Sequence, residues 1–453
     1  MAGLFSSLSM AARSLEAQRA GLDVTGQNIA NLNTPGYSRR RLDLAEVVNG
    51  TGGVEVLGTR AMRDRALDTR VRTALPDVAR ERAIGDTLAL VETAIGAPGQ
   101  GIDGNLSAFF DAFSALSVDP TSTVARDGVI RQGRQLASAF NATATRLADS
   151  RQLADSGVRD AVGQVNRLTE QIATLNGAIA ASSGVDVDAL KDRQRVAIEE
   201  LSGLTAVSVL SRADGGVDVT IPSGRALVIG GSQYDVTIGA GPGGMATLAL
   251  GGAIITNDIT NGTIGGLLHS RDTLIPGYQA RLDELAHGVA QEVNTLHQSG
   301  FDLNGAAGTA FFTPPAAVAG AAAAFSVSAP IQGNPSLVAA SQTGAPGNNQ
   351  VALAIAALRA QPVLAGGTMS VTDAWAQLAF HVGSDADSAR AEQGSLNDVL
   401  DQVERLRDQV SGVSLDEEAA QMMKFQRAYE ANAKFFTVAD EMLQTLMRTV
   451  GGV

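Results

Sequence analysis

The chain of 453 residues contains no cysteine and four histidines. The lack of cysteine excludes disulfides, thiolate catalysis and cysteine metal sites. The histidines are not in the spacings of metal or catalytic motifs, so we expect them at the surface or on helix faces. They are His269, His287, His297 and His381. The sequence therefore predicts no enzyme activity, no metal and no cofactor.

An excess of basic residues is also missing. The net charge is −13, whereas a nucleic-acid-binding protein is usually basic or carries a basic patch. The nearest candidate is the run 39–41 (Arg-Arg-Arg), which is flanked by Asp43 and Glu46 and is expected to be a solvated loop. No apolar run is long enough for a membrane span. The first residues lack the features of a cleaved signal, so we expect any export to use another route.

Aromatic residues make up only 4% of the chain, so its cores must be built mainly from Ala, Leu, Val and Ile. That composition favours long, closely packed helices. Fifty glycines indicate many turns and a β region as well.

The first segment has apolar residues at intervals of seven, the pattern of a helix that packs along one seam. The helix should end at residues 33–36 (Asn-Thr-Pro-Gly), because Pro35 disfavours a helical conformation at the residue before it and Gly36 permits a turn. The seam residues are Leu8, Leu15, Leu22 and Ile29.

The last segment repeats this pattern. Residues 414–417 (Ser-Leu-Asp-Glu) form a capping box, which predicts a helix start, and Gly412 can end the helix before it. We predict that this apolar row faces the first one in an assembly seam. Its residues are Met422, Tyr429, Phe436 and Leu443, and Phe425 widens the stripe.

The middle of the chain contains more helical patterns and two β-like stretches. Asp119-Pro120 is a good helix start, and the pattern continues to about Ser182. Further helices are expected at about 62–95 and 267–298, and a β-meander at about 204–256. A second β-like stretch follows at about 309–331. Rows of seven-residue spacing at Leu396, Val403 and Val410, and at Val399, Leu406 and Val413, should pair with an amino-terminal helix.

One glycine-rich segment formally matches a nucleotide-binding pattern, G-x-G-x-x-G, at residues 239–244. A dinucleotide site needs a helix directly after the glycines, whereas the residues that follow here look like a strand. We therefore predict a loop here.

These patterns predict a mainly α fold with a β insertion. In it, both chain ends form an elongated coaxial helical bundle, and a small β domain is inserted in the middle. We expect a terminal helical core from 1–60 with 414–453. A long helical bundle would contain 61–203, 257–300 and 351–413. The small β domain, expected to face outward, would contain 204–256 and 301–350.

The periodicity leaves two functions open for the paired ends. They are either ordinary core helices of a compact domain or an assembly device that becomes ordered when neighbouring subunits cover it. The second possibility predicts that both ends are sensitive to protease in the monomer.

Two motifs at opposite ends of the chain resemble those of a known group of proteins. Residues 28–37 (NIANLNTPGY) and 411–443 (SGVSLDEEAAQMMKFQRAYEANAKFFTVADEML) are similar to the terminal signatures of bacterial flagellar rod, hook and hook-associated proteins. Ser38-Arg39 after the turn, the long helical middle and residues 300–305 (GFDLNG) most resemble the hook-associated protein 1 family.

The resemblance implies a secreted structural subunit at the hook–filament junction of the bacterial flagellum. Such subunits are exported unfolded through the flagellar type III apparatus and polymerise into a tubular collar, with the terminal helices in the inner wall. The implied partners are further copies of the chain, the hook protein, hook-associated protein 3 and a cytoplasmic export chaperone. The alternative is another axial protein, namely hook-associated protein 3 or a rod protein.

The resemblance also assigns roles to residues. The turn that leaves the inner wall would contain Asn28, Asn31, Pro35, Gly36 and Tyr37. The chaperone would contact Phe425, Tyr429, Phe436 and Leu443, since an unassembled apolar stripe needs cover.

Overall fold

The computed structural model describes residues 2–47, 53–182 and 186–450. Residues 1, 48–52, 183–185 and 451–453, which belong to the predicted domain ranges, lie outside the described part.

The described chain is mainly helical, and its strands form three small sheets. The first half contains α1 (Ala2–Ala30), β1 (Arg40–Glu46), β2 (Val54–Ala61), α2 (Arg65–Ile95), α3 (Ile102–Val118), α4 (Thr123–Ala181) and α5 (Asp186–Leu204). A β module follows with β3 (Ser208–Ser211), β4 (Val217–Thr220), β5 (Ala226–Ile229), β6 (Ser232–Gln233), β7 (Val236–Ala240), β8 (Ala246–Leu250) and β9 (Ala253–Ile254). The rest contains α6 (Gly262–His269), α7 (Ile275–Gln298), α8 (Ala329–Gly333), α9 (Gln350–Ala357), α10 (Val371–Ser411) and α11 (Leu415–Val450). A π-helical turn, Ser270–Leu274, joins α6 to α7.

The predicted fold class is confirmed: long helices surround a β insertion. α1 packs against α11, and α10 packs along α2, so elements from opposite ends of the chain are paired. The strands β3–β6 form one antiparallel sheet and β7–β9 another, while β1 and β2 form a separate hairpin. The glycine-rich segment is a loop, as predicted, and it joins the paired strands β7 and β8.

The longest helix, α4, begins three residues later than predicted. Its N-cap is Ser122, whose hydroxyl accepts the N–H of Ala125. The carboxylate of Asp119 instead accepts the N–H and the hydroxyl of Thr121, because an aspartate can close a turn two residues ahead as well as cap a helix. From Ser122 the helix runs for 59 residues, about 88 Å at 1.5 Å per residue.

Buried apolar side chains form two clusters along α4. One lies between α2, α3, the first part of α4, α7 and α10, and includes Phe109, Phe113 and Trp375. The other lies between the second part of α4, α5, α6 and the β module. Because α4 runs through both clusters, it joins them rigidly.

The region 301–350 differs from the expectation. Phe311, Phe312 and Phe325 are buried in the helical cluster, not with 204–256. The predicted β-like stretch 309–331 contains no strand and only an isolated bridge from Phe312 to Val327. The alternating apolar residues gain their burial from aromatic contacts with Phe109 and Phe140 on α3 and α4, so no sheet is needed to cover them.

His297 lies on a face of α7, which is one of the two predicted placements, and it is fully buried. Its Nδ1 lies 2.5 Å from the carbonyl oxygen of Thr309, and its Nε2 accepts the N–H of Ala339. The ring therefore ties the end of α7 to the 301–350 region. Burial lowers the pKa of His297 to about 4.

Side chains of α4 hold the β module by hydrogen bonds to the main chain of the module. The carboxamide of Asn176 donates to the carbonyl of Val217 and accepts its N–H, and Asn166 does the same with Val236. One end of the module is held by buried Asp155, which accepts the N–H of Ala246. Asp155, Asn166 and Asn176 recur about every three turns, so they share one face of α4.

An ion pair completes this attachment. Arg271, in the π-helical turn, contacts Asp155 at 2.6 Å and donates to the carbonyl of Ala246. Burial opposes ionisation of Asp155, but hydrogen bonds from Ala246, Arg271 and Arg159 hold its pKa below the usual value. The pair is fully hydrogen-bonded, which is the condition for a stable buried charge.

The paired chain ends as the candidate functional site

The helices at the two chain ends cross in opposite directions. Gly21 lies against the ring of Phe425, and Asn28, seven residues further along α1, contacts Glu418, seven residues earlier on α11. A Cβ on Gly21 would lie 2.6 Å from the Phe425 ring, so only glycine permits this approach. The two ends are therefore an antiparallel helix pair.

The most buried face of α1 is made of small residues, not of leucines. Ala11, Ala17, Gly21, Val24 and Thr25 are buried in this face, and Asn28 continues it. Leu22 and Ile29 each lie one residue beyond a position that faces α11, Gly21 and Asn28 respectively, which turns them by about 100° around the helix. The predicted row of Leu8, Leu15, Leu22 and Ile29 is half-buried at the edge of the contact.

The α11 side of the pair is only partly covered. Met422, Phe425, Phe436 and Leu443 are half-buried, whereas Tyr429 is 42% exposed. A second apolar face of the helix is open to solvent. It contains Phe435, Val438, Met442 and Leu446, which lie within about a quarter of a turn of one another. Leu415, Met423 and Met447 are also exposed, on other sides of the helix.

Asn28 is the centre of the turn that follows α1. Its Nδ2 donates to the carbonyl of Arg40 at 2.9 Å and to the carboxylate of Glu418 at 3.0 Å. Its Oδ1 accepts the N–H of Arg40 and the hydroxyl of Tyr37, both at 2.9 Å. One buried carboxamide therefore joins α1, the turn, β1 and α11 with all four of its hydrogen-bonding positions used.

The basic run 39–41 is not a solvated loop, so this prediction was wrong. Arg40 and Arg41 begin the strand β1, and Arg40 is only 9% exposed with its guanidinium over the Tyr37 ring. Arg39 binds Glu417 at 2.6 Å and Glu418 at 2.7 Å. The acidic first turn of α11 therefore pairs with Arg39 and holds the start of the run in place.

The turn itself is fixed against α5 and α10. Gly36 has a φ of +76°, and a Cβ there would collide with Val196 of α5, so this position requires glycine on both grounds. The guanidinium of Arg195 donates to the Gly36 carbonyl at 2.8 Å. The N–H of Arg39 donates to the carbonyl of Ser411 at 2.8 Å, at the end of α10.

Ser38 and Asp192 extend this junction. The Ser38 hydroxyl and the Arg63 guanidinium both donate to Oδ1 of Asp192, each at 2.7 Å. Burial raises the pKa of Tyr37, which keeps its hydroxyl protonated as a donor to Asn28. Pro35 is exposed, and Asn31 binds only within the turn, to Gln27 and Thr34.

The arrangement holds backbone segments and helices together through hydrogen bonds and ion pairs. Among the described residues there is no cluster of His, Asp and Glu with the geometry of a metal site. In the same ranges, no helix is long and apolar enough to cross a membrane.

Sequence reasoning did not identify Arg39, Arg63, Asp192, Arg195 and Glu418 as parts of the junction. Glu418 is almost fully buried although it looks like an ordinary first-turn acid. The one available signal was the equal number of acidic and basic residues in runs at opposite ends, 39–41 and 416–418. Nothing in the local pattern points to α5 as the support.

Family models match the chain at its centre and at both ends. A model described as the helical domain of flagellar hook-associated protein FlgK matches residues 88–312. A flagella basal body rod protein model matches residues 8–37, and a flagellar basal body rod FlgEFG protein C-terminal model matches residues 408–449. The terminal matches contain the helix pair and its turn.

Individual relatives agree with these matches. Flagellar hook-associated protein 1 of Bacillus subtilis is 28% identical, in an alignment that covers 100% of this chain and 99% of the relative. The protein of the same name from Escherichia coli is 22% identical, with coverage of 96% and 97%. The flagellar hook junction protein FlgK from Burkholderia pseudomallei has a similar fold, with a TM-score of 0.68, 17% identity and coverage of 76% of this chain and 100% of that one.

The two chain ends form an antiparallel helix pair, and the turn after α1 is bound to α11. Together with these matches, this arrangement defines a protein of the bacterial flagellum. Within that class, the matches support the flagellar hook-associated protein FlgK family for this chain.

Proposed function

We propose that the chain is a non-enzymatic structural subunit that is secreted, polymerises at the tip of the flagellar hook and joins the hook to the filament. Its direct partners would be further copies of itself, the hook protein and hook-associated protein 3. The observation that carries the proposal is the incomplete cover of the end helices: α1 and α11 contact each other through a narrow face and leave apolar residues on both flanks.

The flanking residues suit a seam between copies. Leu8, Leu15, Leu22 and Ile29 lie at the edge of the contact, where a neighbouring subunit can bury them. In a tube, each end pair would be surrounded by other end pairs, and burying the open flanks would supply the stabilisation that one pair lacks. In this proposal 1–60 with 414–453 form the inner wall, and the β module 204–256 lies away from it.

The apolar residues of α11, on the open flank and on the side that α1 contacts, also explain why export would need a chaperone. Before assembly, α11 exposes a row of large apolar residues that favours aggregation. We propose that a cytoplasmic chaperone covers the helix by its amphipathic surface, with Phe425, Tyr429, Phe436 and Leu443 as contacts.

The deciding experiment is a clean deletion in the source bacterium, complemented with the wild-type gene. We expect hooks without filaments, with flagellin released into the medium. Normal filaments and motility after deletion would refute the junction role.

A matched pair of variants tests the seam. Leu22→Asp should abolish complementation, since it places a charge in the contact between copies, whereas Ala12→Asp on the exposed side of α1 should complement. Both proteins should be exported equally well, which is measured in the medium. Equal complementation by both variants would mean that the leucine row is not part of the assembly surface.

A further inference from the structure

The C-terminal half of α10 presents an apolar stripe that the described chain covers only in part. Val399, Leu406 and Val410 are 51%, 41% and 40% exposed, and Leu396 and Val403 are half-buried between them. Spacings of three and four residues put all five on one side of the helix. The stripe is the predicted seven-residue seam, but α2 contacts the neighbouring face instead.

The stripe is open because α7 does not reach it. Higher up, Asp385 lies on the same side of α10 and accepts the hydroxyl of Tyr278 at 2.6 Å. Tyr278 is near the start of α7, and the π-helical turn before it leads into α6, which packs mainly against α2 and α4.

A groove of about 740 Å³ lies on the other side of α2, between α2, α4, α5 and α6. Its apolar lining includes Leu75, Val78, Leu90, Leu153, Leu168 and Leu267. Leu90 and Leu153 are 47% and 58% exposed, so the groove is unfilled in the single chain. On α2, Leu75 and Arg82 point about half a turn away from the core residues Ile84 and Leu88.

The stripe and the groove lie at overlapping positions along the paired helices α10 and α2. Arg390 of α10 pairs with Glu92 of α2, and further down Arg407 contributes to the electrostatic environment of Asp68, so the two helices are antiparallel. Val399 therefore lies beside the part of α2 that carries the lower groove residues. The two surfaces face in different directions, so one chain cannot join its own pair.

Their dimensions also agree. From Leu396 to Val410 the stripe extends about 21 Å, and from Leu75 to Leu90 the groove follows α2 for about 22 Å, at 1.5 Å per residue. A second copy placed side by side brings a stripe of the right length and apolar character to the groove.

We propose that the stripe of α10 in one copy docks into the groove between α2 and α4 of the next copy. This rests on the proposed function, because it assigns the lateral contact of the same polymer. Two different surfaces meet, so the contact is heterologous and generates a ring or a helix rather than a closed dimer. A seam of five side chains is small beside a standard stable interface, which keeps the free chain monomeric until the end helices assemble with it.

The chain has no cysteine, so engineered cysteines report on this contact alone. We would place Val399→Cys and Leu153→Cys in one chain, produce collars in the bacterium and treat them with a short bifunctional maleimide. The expected result is a ladder of cross-linked multimers from the double variant and no cross-link from either single variant. The control is Val399→Cys with Leu353→Cys, since Leu353 on α9 is similarly exposed, at 48%.

Three results would overturn the inference. A single variant that cross-links to itself would indicate a symmetric contact, and a ladder as strong in the control pair would indicate collisions without a fixed interface. Absence of a ladder in collars that still carry filaments would refute this contact while leaving the junction role intact.

A second measurement does not depend on cross-linking. Leu406→Asp should prevent collar formation, whereas Leu353→Asp should permit it. Circular dichroism and thermal unfolding of both monomers should match the wild type, because both side chains are exposed. Collars from Leu406→Asp as abundant as from the control would refute the docking surface.

Discussion

Replacing Asn28 by alanine removes the four hydrogen bonds that connect α1 to the turn, to β1 and to α11. The N–H and carbonyl of Arg40 then lose their partner in a buried place, at a cost of about 1–3 kcal/mol each. Glu418 keeps its ion pair with Arg39, and half-buried Tyr37 can turn to water. We therefore expect a loss of about 4 kcal/mol in the docking of the turn, or about a thousandfold in its opening equilibrium.

Hydrogen exchange in the full-length monomer measures this directly. Peptides that contain residues 38–47 should exchange about a thousandfold faster in Asn28→Ala, while peptides from α4 should not change. The matched control is Asn31→Ala, because its carboxamide binds only within the turn and its loss should cost less than about 1 kcal/mol. If exchange at 38–47 is the same in Asn28→Ala as in the wild type or in Asn31→Ala, Asn28 is not the connecting group.

Asn28→Asp separates hydrogen bonding from charge. Aspartate keeps the acceptor for Arg40 and Tyr37 but offers no donor to the Arg40 carbonyl and places a second carboxylate against Glu418. Two carboxylates this close cannot both stay ionised without cost. The variant should therefore be at least as weak as Asn28→Ala at pH 7 and recover protection as the pH is lowered, because protonating either carboxyl removes the repulsion. No difference in recovery between the two variants would contradict the contact with Glu418.

The remaining predictions concern packing, pH and the free ends. Gly21→Val should separate α1 from α11, because the valine side chain would overlap the Phe425 ring. Limited proteolysis should then cut both chain ends faster than in the wild type, while the rest of the chain stays intact. In the wild-type monomer, α1 and α11 should already be cut first by limited proteolysis, and resistance equal to that of α4 would contradict assembly-dependent ordering. The buried, neutral His297 has a pKa of about 4, below the unfolded value near 6.5, so its contribution to stability is intact above pH 6.5 and falls as the pH decreases towards 4, by about 3 kcal/mol. His297→Gln should flatten that part of the stability–pH curve, measured by chemical unfolding, and the control His287→Gln should not.

Periodicity predicted the elements that depend on one helix or one turn. The start of α11 after Ser414, the long α4 and the β-meander follow from local residue patterns that the structure retains. The first helix ends at Ala30, before the predicted stop at 33–36, and residues 31–33 form turns. The start of α4 shifted to Ser122 because two competing caps are three residues apart, and local sequence does not determine which is used.

What could not be predicted depends on partners distant in sequence. The leucine row of α1 looked like the centre of the seam, but Gly21 lets Phe425 approach and moves the centre to the small residues. Arg40 looked solvated because nothing nearby shows that Asn28 and Tyr37 bury it. Phe311 and Phe312 looked like strand residues, yet aromatic contacts in the helical core bury them without a sheet.

The asparagines that hold extended segments affect which sequence changes the protein can accept during evolution. Asn28, Asn166, Asn176 and Asn294 each pair with both main-chain groups of one residue, respectively Arg40, Val236, Val217 and Phe312. Every residue type except proline supplies those two groups. The mounting of the β module on α4 is therefore largely indifferent to the side chains it carries, so its outer surface is free to diversify while the rod that displays it stays the same.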